Sequence, residues 1–158
     1  MGDLLAYAAS LNLPQRQIDR AAEYIQDRFA FAPNATTRRA LNANQQQWEA
    51  AIRQETGIAD LAPAQNSTSF TTVFRQRVCL SDAPGEISIG ALSNPDGSWR
   101  GEPTLLRSSG YGALDRKALR EIQAHRFEPA DGIRAHVLTV NTSVSHGTQP
   151  CMNPNPQS

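Results

Sequence analysis

The hydrophobic period of this chain changes once, and that change limits what it can fold into. Apolar residues recur at helical spacing as far as residue 57 and at alternate positions beyond residue 69. In the first stretch Ile18, Ala21, Ala22, Ile25 and Phe29 fall at i, i+3, i+4, i+7 and i+11. This is one stripe of a helix that can begin at Pro14 and must stop before Pro33. Leu41, Gln45, Trp48 and Ile52 repeat the spacing, Thr36 or Thr37 can cap the amides ahead of them, and Gly57 suits the left-handed position after the last turn. A second helix is therefore predicted over roughly residues 37–56. Leu4, Leu5, Ala8 and Leu11 share a face and predict a short helix over 3–11, marginal at that length without packing.

Residues 58–69 are small, polar and proline-containing, show no period, and read as a linker. After it Phe74, Val78 and Leu80 alternate with Arg75, Arg77 and Cys79, the pattern of a half-buried strand. Ile87, Ile89 and Ala91 alternate with Ser88 and Gly90, and Asn94-Pro95-Asp96-Gly97 then turns the chain back into a strand over 104–107. Pro103 stands at that strand's start, where a missing amide harms the ladder least. Ser108-Ser109-Gly110-Tyr111-Gly112 breaks the strand, and Leu114-Asp115 opens a helix with Asp115 expected as its N-cap. Pro129 ends that helix, and Phe127 is expected to seat its end on the sheet. Over 135–145 Leu138, Val140 and Val144 make a dry face, while Val137, Thr139, Asn141 and Ser143 make the other. Residues 152–158 have nothing to bury and are expected to be a disordered tail.

Charge and cysteine content narrow the partners. Lys plus Arg and Asp plus Glu both count 15, so no whole-molecule field draws the chain to nucleic acid or an anionic bilayer. No window holds 18 or more consecutive apolar residues, and the start lacks the pattern of a secretory signal. The expectation is an intracellular protein or the water-soluble portion of a longer one. Cys79 and Cys151 belong to no paired metal-ligand motif. Either they form a disulfide, closing a loop of about 73 residues worth roughly 4 kcal/mol on the chain-entropy model, or one is a semi-buried strand cysteine and the other a tail thiol.

The succession Asn94-Pro95-Asp96-Gly97, Leu106-Arg107-Ser108-Ser109-Gly110-Tyr111, Leu114-Asp115-Arg116-Lys117-Ala118-Leu119 and Arg126-Phe127-Glu128-Pro129 resembles the C-terminal domain of TonB. That family comprises energy transducers linking an inner-membrane motor to outer-membrane receptors, and Val78-Cys79-Leu80 ahead of the hairpin is similar to its cyanobacterial members. The likeness covers residues 85–145. It implies an α+β fold, a three-stranded antiparallel sheet with one helix packed across it, preceded here by an N-terminal helical segment. The organisation is then 1–57 helical, 58–69 linker, 70–151 TonB C-terminal-like and 152–158 tail.

In that family an extended receptor segment adds itself beside the last strand, so backbone hydrogen bonds supply affinity and alternate side chains supply register. Carried onto matching positions, the resemblance implies a partner-binding edge at Ala135, Val137, Thr139, Asn141 and Ser143, buttressed by Arg126, Phe127 and Pro129. The family's tyrosine is Phe127 here, so no hydroxyl stands at that position. The partner implied is a TonB-dependent outer-membrane receptor or another envelope protein, the compartment the periplasm, and the process energy-coupled transport, as of iron–siderophore complexes. Where family members carry a membrane helix and a proline-rich spacer, this sequence carries about 55 residues of helical period, so the likeness speaks to fold more than to energy transduction. The alternatives are a structural or oligomerising module of an envelope assembly, whose helical stripe around Trp48 forms a homodimer or docking contact, and a cytoplasmic inhibitor-like module.

No enzyme, cofactor or metal is expected. Ser108-Ser109-Gly110 lacks the Gly-x-Ser-x-Gly elbow and reads as a strand-to-helix turn. His136 and His146 lie ten positions apart on one strand, roughly 33 Å if extended, too far for one ion.

Overall fold

The computed structural model describes residues 14–64 and 68–153. The helix expected over 3–11 and the end of the tail, 154–158, lie outside the described residues. Helix α1 spans Gln15–Phe29, a 3-10 turn Pro33–Ala35, and helix α2 Arg38–Thr56; strands β1 Pro63–Ala64, β2 Ser69–Arg75, β3 Ile87–Ser93 and β4 Thr104–Arg107 follow. Helix α3, Gly112–Ile122, then leads to the longest strand, β5, Arg134–Ser145.

The fold is α+β, and its sheet is mixed and five-stranded. Strand β3 runs antiparallel to β5, with Ile87 opposite Val140 and Ser93 opposite Arg134, and β4 is antiparallel to β3. Strand β2 runs parallel to β5 from Ser69 opposite Thr139 to Arg75 opposite Ser145, and β1 sets Pro63 opposite Ala135. The three antiparallel strands and helix expected from sequence are therefore joined by two parallel strands, one of them inside the stretch read as linker. The physical reason is the second edge of β5. Strand β3 fills one edge over 134–140, and the backbone groups along the other edge take their partners from β1 at 135–136 and from β2 at 139–145. The strand expected to run on to Leu80 stops at Arg75, and only an isolated bridge from Val78 to Met152 follows.

Each face of the sheet has its own core. On one, Phe74, Ile87, Ile89, Leu138 and Val140 pack against Leu114, Ala118 and Ile122 of α3, with Tyr111 and Phe127 closing the ends. On the other, Trp48 and Ile52 of α2 lie on Leu92, Leu106 and Ala135. Gly90 permits that approach, because a Cβ there would sit 2.6 Å from the Trp48 ring. Burying each such side chain stabilises the fold by roughly 1.5–3 kcal/mol. The stripe of α2 is thus covered by its own sheet.

Local signals explain where the helices begin and end. The Thr37 hydroxyl accepts from the Ala40 amide at 3.0 Å and caps α2, and Gly57 ends it at φ 72°. Helix α1 buries no residue completely. It is held by the Asp27–Arg116 ion pair to α3, by Phe31 against Tyr111 with centroids 5.4 Å apart, and by the Ala32 amide donating to the Gly110 carbonyl at 2.9 Å. No described helix is long and apolar enough to cross a membrane.

Cys79 and Cys151 form a disulfide with Cα atoms 5.0 Å apart. Beside it the Cys79 amide donates to Met152 O at 2.8 Å and the Met152 amide to Arg77 O at 2.7 Å. The tail expected to be loose from residue 152 is therefore pinned through Met152.

Candidate functional site

The residues assigned to a binding edge share one strand but not a free edge. Strand β5 is interior, flanked by β3 on one side and by β1 and β2 on the other. Ala135 and half-buried Val137 belong to the core under α2. Thr139, Asn141 and Ser143 sit opposite Ser69, Thr71 and Val73 of β2, with Asn141 and Ser143 exposed on the sheet surface. The expectation of an open edge along 135–144 is corrected on this point: β2 has taken the place a partner strand would fill. What drives it there is Phe74, 3 % exposed, which reaches the main core only if β2 lies beside β5.

Of the three buttress residues, only Phe127 is inside. Its ring stacks on His136 at 4.3 Å and meets Trp99 and His125 edge-on, each at 4.9 Å. Its amide donates to Gly97 O at 3.0 Å, and the Trp99 indole N–H donates to His125 O at 2.8 Å. These bonds lock the hairpin turn onto the helix end. Gly97 is required there twice over, by φ 86° and because a Cβ would collide with the Phe127 carbonyl. Arg126 and Pro129 are exposed. His136 Nε2 lies 2.8 Å from the Ser93 hydroxyl, and burial, reinforced by the charges of His125 and Arg134, lowers its pKa from 6.5.

The serines form a turn lock. The Asp115 carboxylate accepts from the Ser109 amide at 2.8 Å, from the Ser109 hydroxyl at 2.7 Å and from the Ser108 hydroxyl. Ser108 Oγ in turn accepts from the Gly110 amide at 2.9 Å, and Ser109 Oγ accepts from the Tyr111 amide at 3.1 Å. Asp115 is thus one turn inside α3, whose N-cap is Tyr111, and acts by reaching back across the loop. Charge-assisted bonds of this kind hold a buried carboxylate that would otherwise be costly.

Among the described residues the sheet ends in β4 on one side and in β1 and β2 on the other, and β2, with 7 residues against 4 in β4, offers the longer free margin. The Gln76 amide donates to Ser145 O at 2.9 Å, so in a parallel ladder the even-numbered residues of β2 face β5, and Ser69, Thr71, Val73 and Arg75 turn their N–H and C=O groups outward. Two of those carbonyls are guarded. Lys117 donates to Val73 O, and Arg28 donates to Arg75 O at 3.0 Å. Beside them is a cavity of about 140 Å³ between Phe70, Thr71 and Val140 of the sheet and Ala118, Glu121 and Ile122 of α3. Sequence reasoning missed this margin, although the alternation of Thr72 and Phe74 with Arg75 was its signal.

No family model, no curated protein and no solved structure matches the chain.

Proposed function

We propose that this chain is a non-catalytic protein-binding module of the cell envelope, resembling the TonB C-terminal domain, that takes an extended segment of a partner as an additional strand. The margin that receives it is the outer edge of β2 and not β5. The observation that carries the reading is the row of outward backbone groups at Ser69, Thr71, Val73 and Arg75, lying next to a cavity large enough for one aliphatic side chain. The partner fitting the resemblance is the periplasmic segment of a TonB-dependent outer-membrane receptor, in energy-coupled uptake of iron complexes. The Cys79–Cys151 bridge supports an oxidising compartment such as the periplasm.

The test is titration of the isotope-labelled full chain with receptor peptides while amide resonances are followed. Shifts at Thr71, Val73 and Arg75 are expected. Shifts at Phe70, Thr72 and Val140 in their place would mean that the peptide displaces β2, and silence throughout β2 and β5 would end the strand-addition reading.

A second reading, an oligomerising module using the helical segment, draws on α1, where Tyr24 is 60 % exposed. Light scattering separates the two: a dimer abolished by Tyr24→Asp would favour the helices.

A further inference from the structure

Past the reach of α2 no described helix covers the second face of the sheet. A groove of about 1050 Å³ runs there, floored by Val73, Ser143 and Ser145 and edged by Arg75 and Arg77. Its far wall is the tail segment 146–152. That wall is preformed: His146 Nδ1–H donates to Gln76 O at 2.7 Å, the Met152 amide donates to Arg77 O, and the disulfide anchors Cys151. The groove is therefore built by the strand ends and by a covalently pinned segment.

Its charge is one-sided. Among the described residues no carboxylate lines it and neither Arg75 nor Arg77 has an acidic partner, although acids and bases balance at 15 each over the whole chain. We infer that this groove is a second binding site, for an acidic, extended segment of a partner protein. Its volume is far more than one inorganic anion needs. Arg75 ends β2 and Arg77 follows two positions later, and both line the groove, so one bound segment meets two cations. Apolar surface from Val73 and Pro150, with Met152 58 % exposed, offers contacts for the intervening residues. Two cations are too few to hold a nucleic-acid backbone at physiological salt. The site does not depend on strand addition at β2, since it recognises side-chain charge across the sheet face and not the outward amides.

The experiment uses the oxidised full chain and a labelled, end-blocked peptide of about eight residues alternating glutamate with valine, long enough at ~3.3 Å per residue to span the groove. Measurable binding is expected, with affinity falling severalfold between low and physiological salt as the ion pairs are screened. Arg75→Glu combined with Arg77→Glu should weaken it about 10-fold or more, since each charged hydrogen bond contributes near a decade. Both side chains are exposed, so the variant should keep its melting temperature. Thr148→Trp, which fills the groove without altering charge, should block binding as well. Equal affinity for the glutamine–valine peptide, binding undiminished in both variants, or tighter binding of inorganic phosphate or a thymidine oligonucleotide would overturn the inference. Amide shifts at Thr71 and Val73 without charge dependence would leave strand addition standing and remove this site alone.

Discussion

The two faces of this sheet are closed to different degrees, although the same strand supplies both. On the face under α3, β5 presents Leu138 and Val140 to a core with Phe74, Tyr111 and Phe127. On the other face it begins with Ala135 and Val137 under α2 and continues into Thr139, Asn141, Ser143 and Ser145, which no described helix covers. One face is spent on stability along its whole length, and the other is stable at one end and open at the other. Adjacent elements thus divide the work: the closed face holds β2 in position, and that positioning creates both the outer margin of β2 and the polar groove.

This contrast can be broken most strongly at Phe74. Phe74→Ala should lower unfolding free energy by about 5 kcal/mol, the upper range for a buried aromatic, and should expose the edge of β5 as β2 loosens. Urea denaturation measures the first effect and hydrogen exchange at Val140 and Thr142 the second. Replacing both Cys79 and Cys151 by serine should cost roughly 4 kcal/mol if loop entropy dominates. It should loosen the wall of the groove while leaving the α3 face packed, which a thermal melt with tail-amide exchange would report.

A smaller effect concerns pH. His136 takes its proton more readily unfolded than folded, because burial lowers its folded pKa. Stability from this group is complete above about 6.5 and is lost as pH falls from there towards the folded pKa. The denaturation midpoint should drop over that window, and His136→Gln should flatten the drop. The guard residue is subtler: Lys117→Ala frees the Val73 carbonyl and should increase peptide addition or self-association at β2, visible by sedimentation. Smallest of all, Asn141→Ala on the open face should change stability by no more than about 0.5 kcal/mol.

Much of the fold was legible in local pattern. Thr37, Gly57 and the Leu41–Trp48–Ile52 stripe bound and orient α2, the Asn94–Gly97 turn sets the hairpin, and the alternation around Leu138 divides dry from wet. The Ser108–Ser109–Asp115 lock was half legible: the loop was marked, but the carboxylate's reach back to Ser109 depends on the turn's shape. The candidate site was the least legible part, since a strand's sequence does not say which neighbour it pairs with.

Sequence alone determined the three described helices and strands β3, β4 and β5, though not β1 or the bounds of β2, because period, caps and turn residues act within a few positions along the chain. Only the tertiary structure decided that β5 lies inside the sheet, that β2 became its margin, and that Cys79 meets Cys151. Those outcomes follow from matching a 12-residue strand with partners distant in sequence and from burying Phe74, and such long-range competition leaves no mark at any single position.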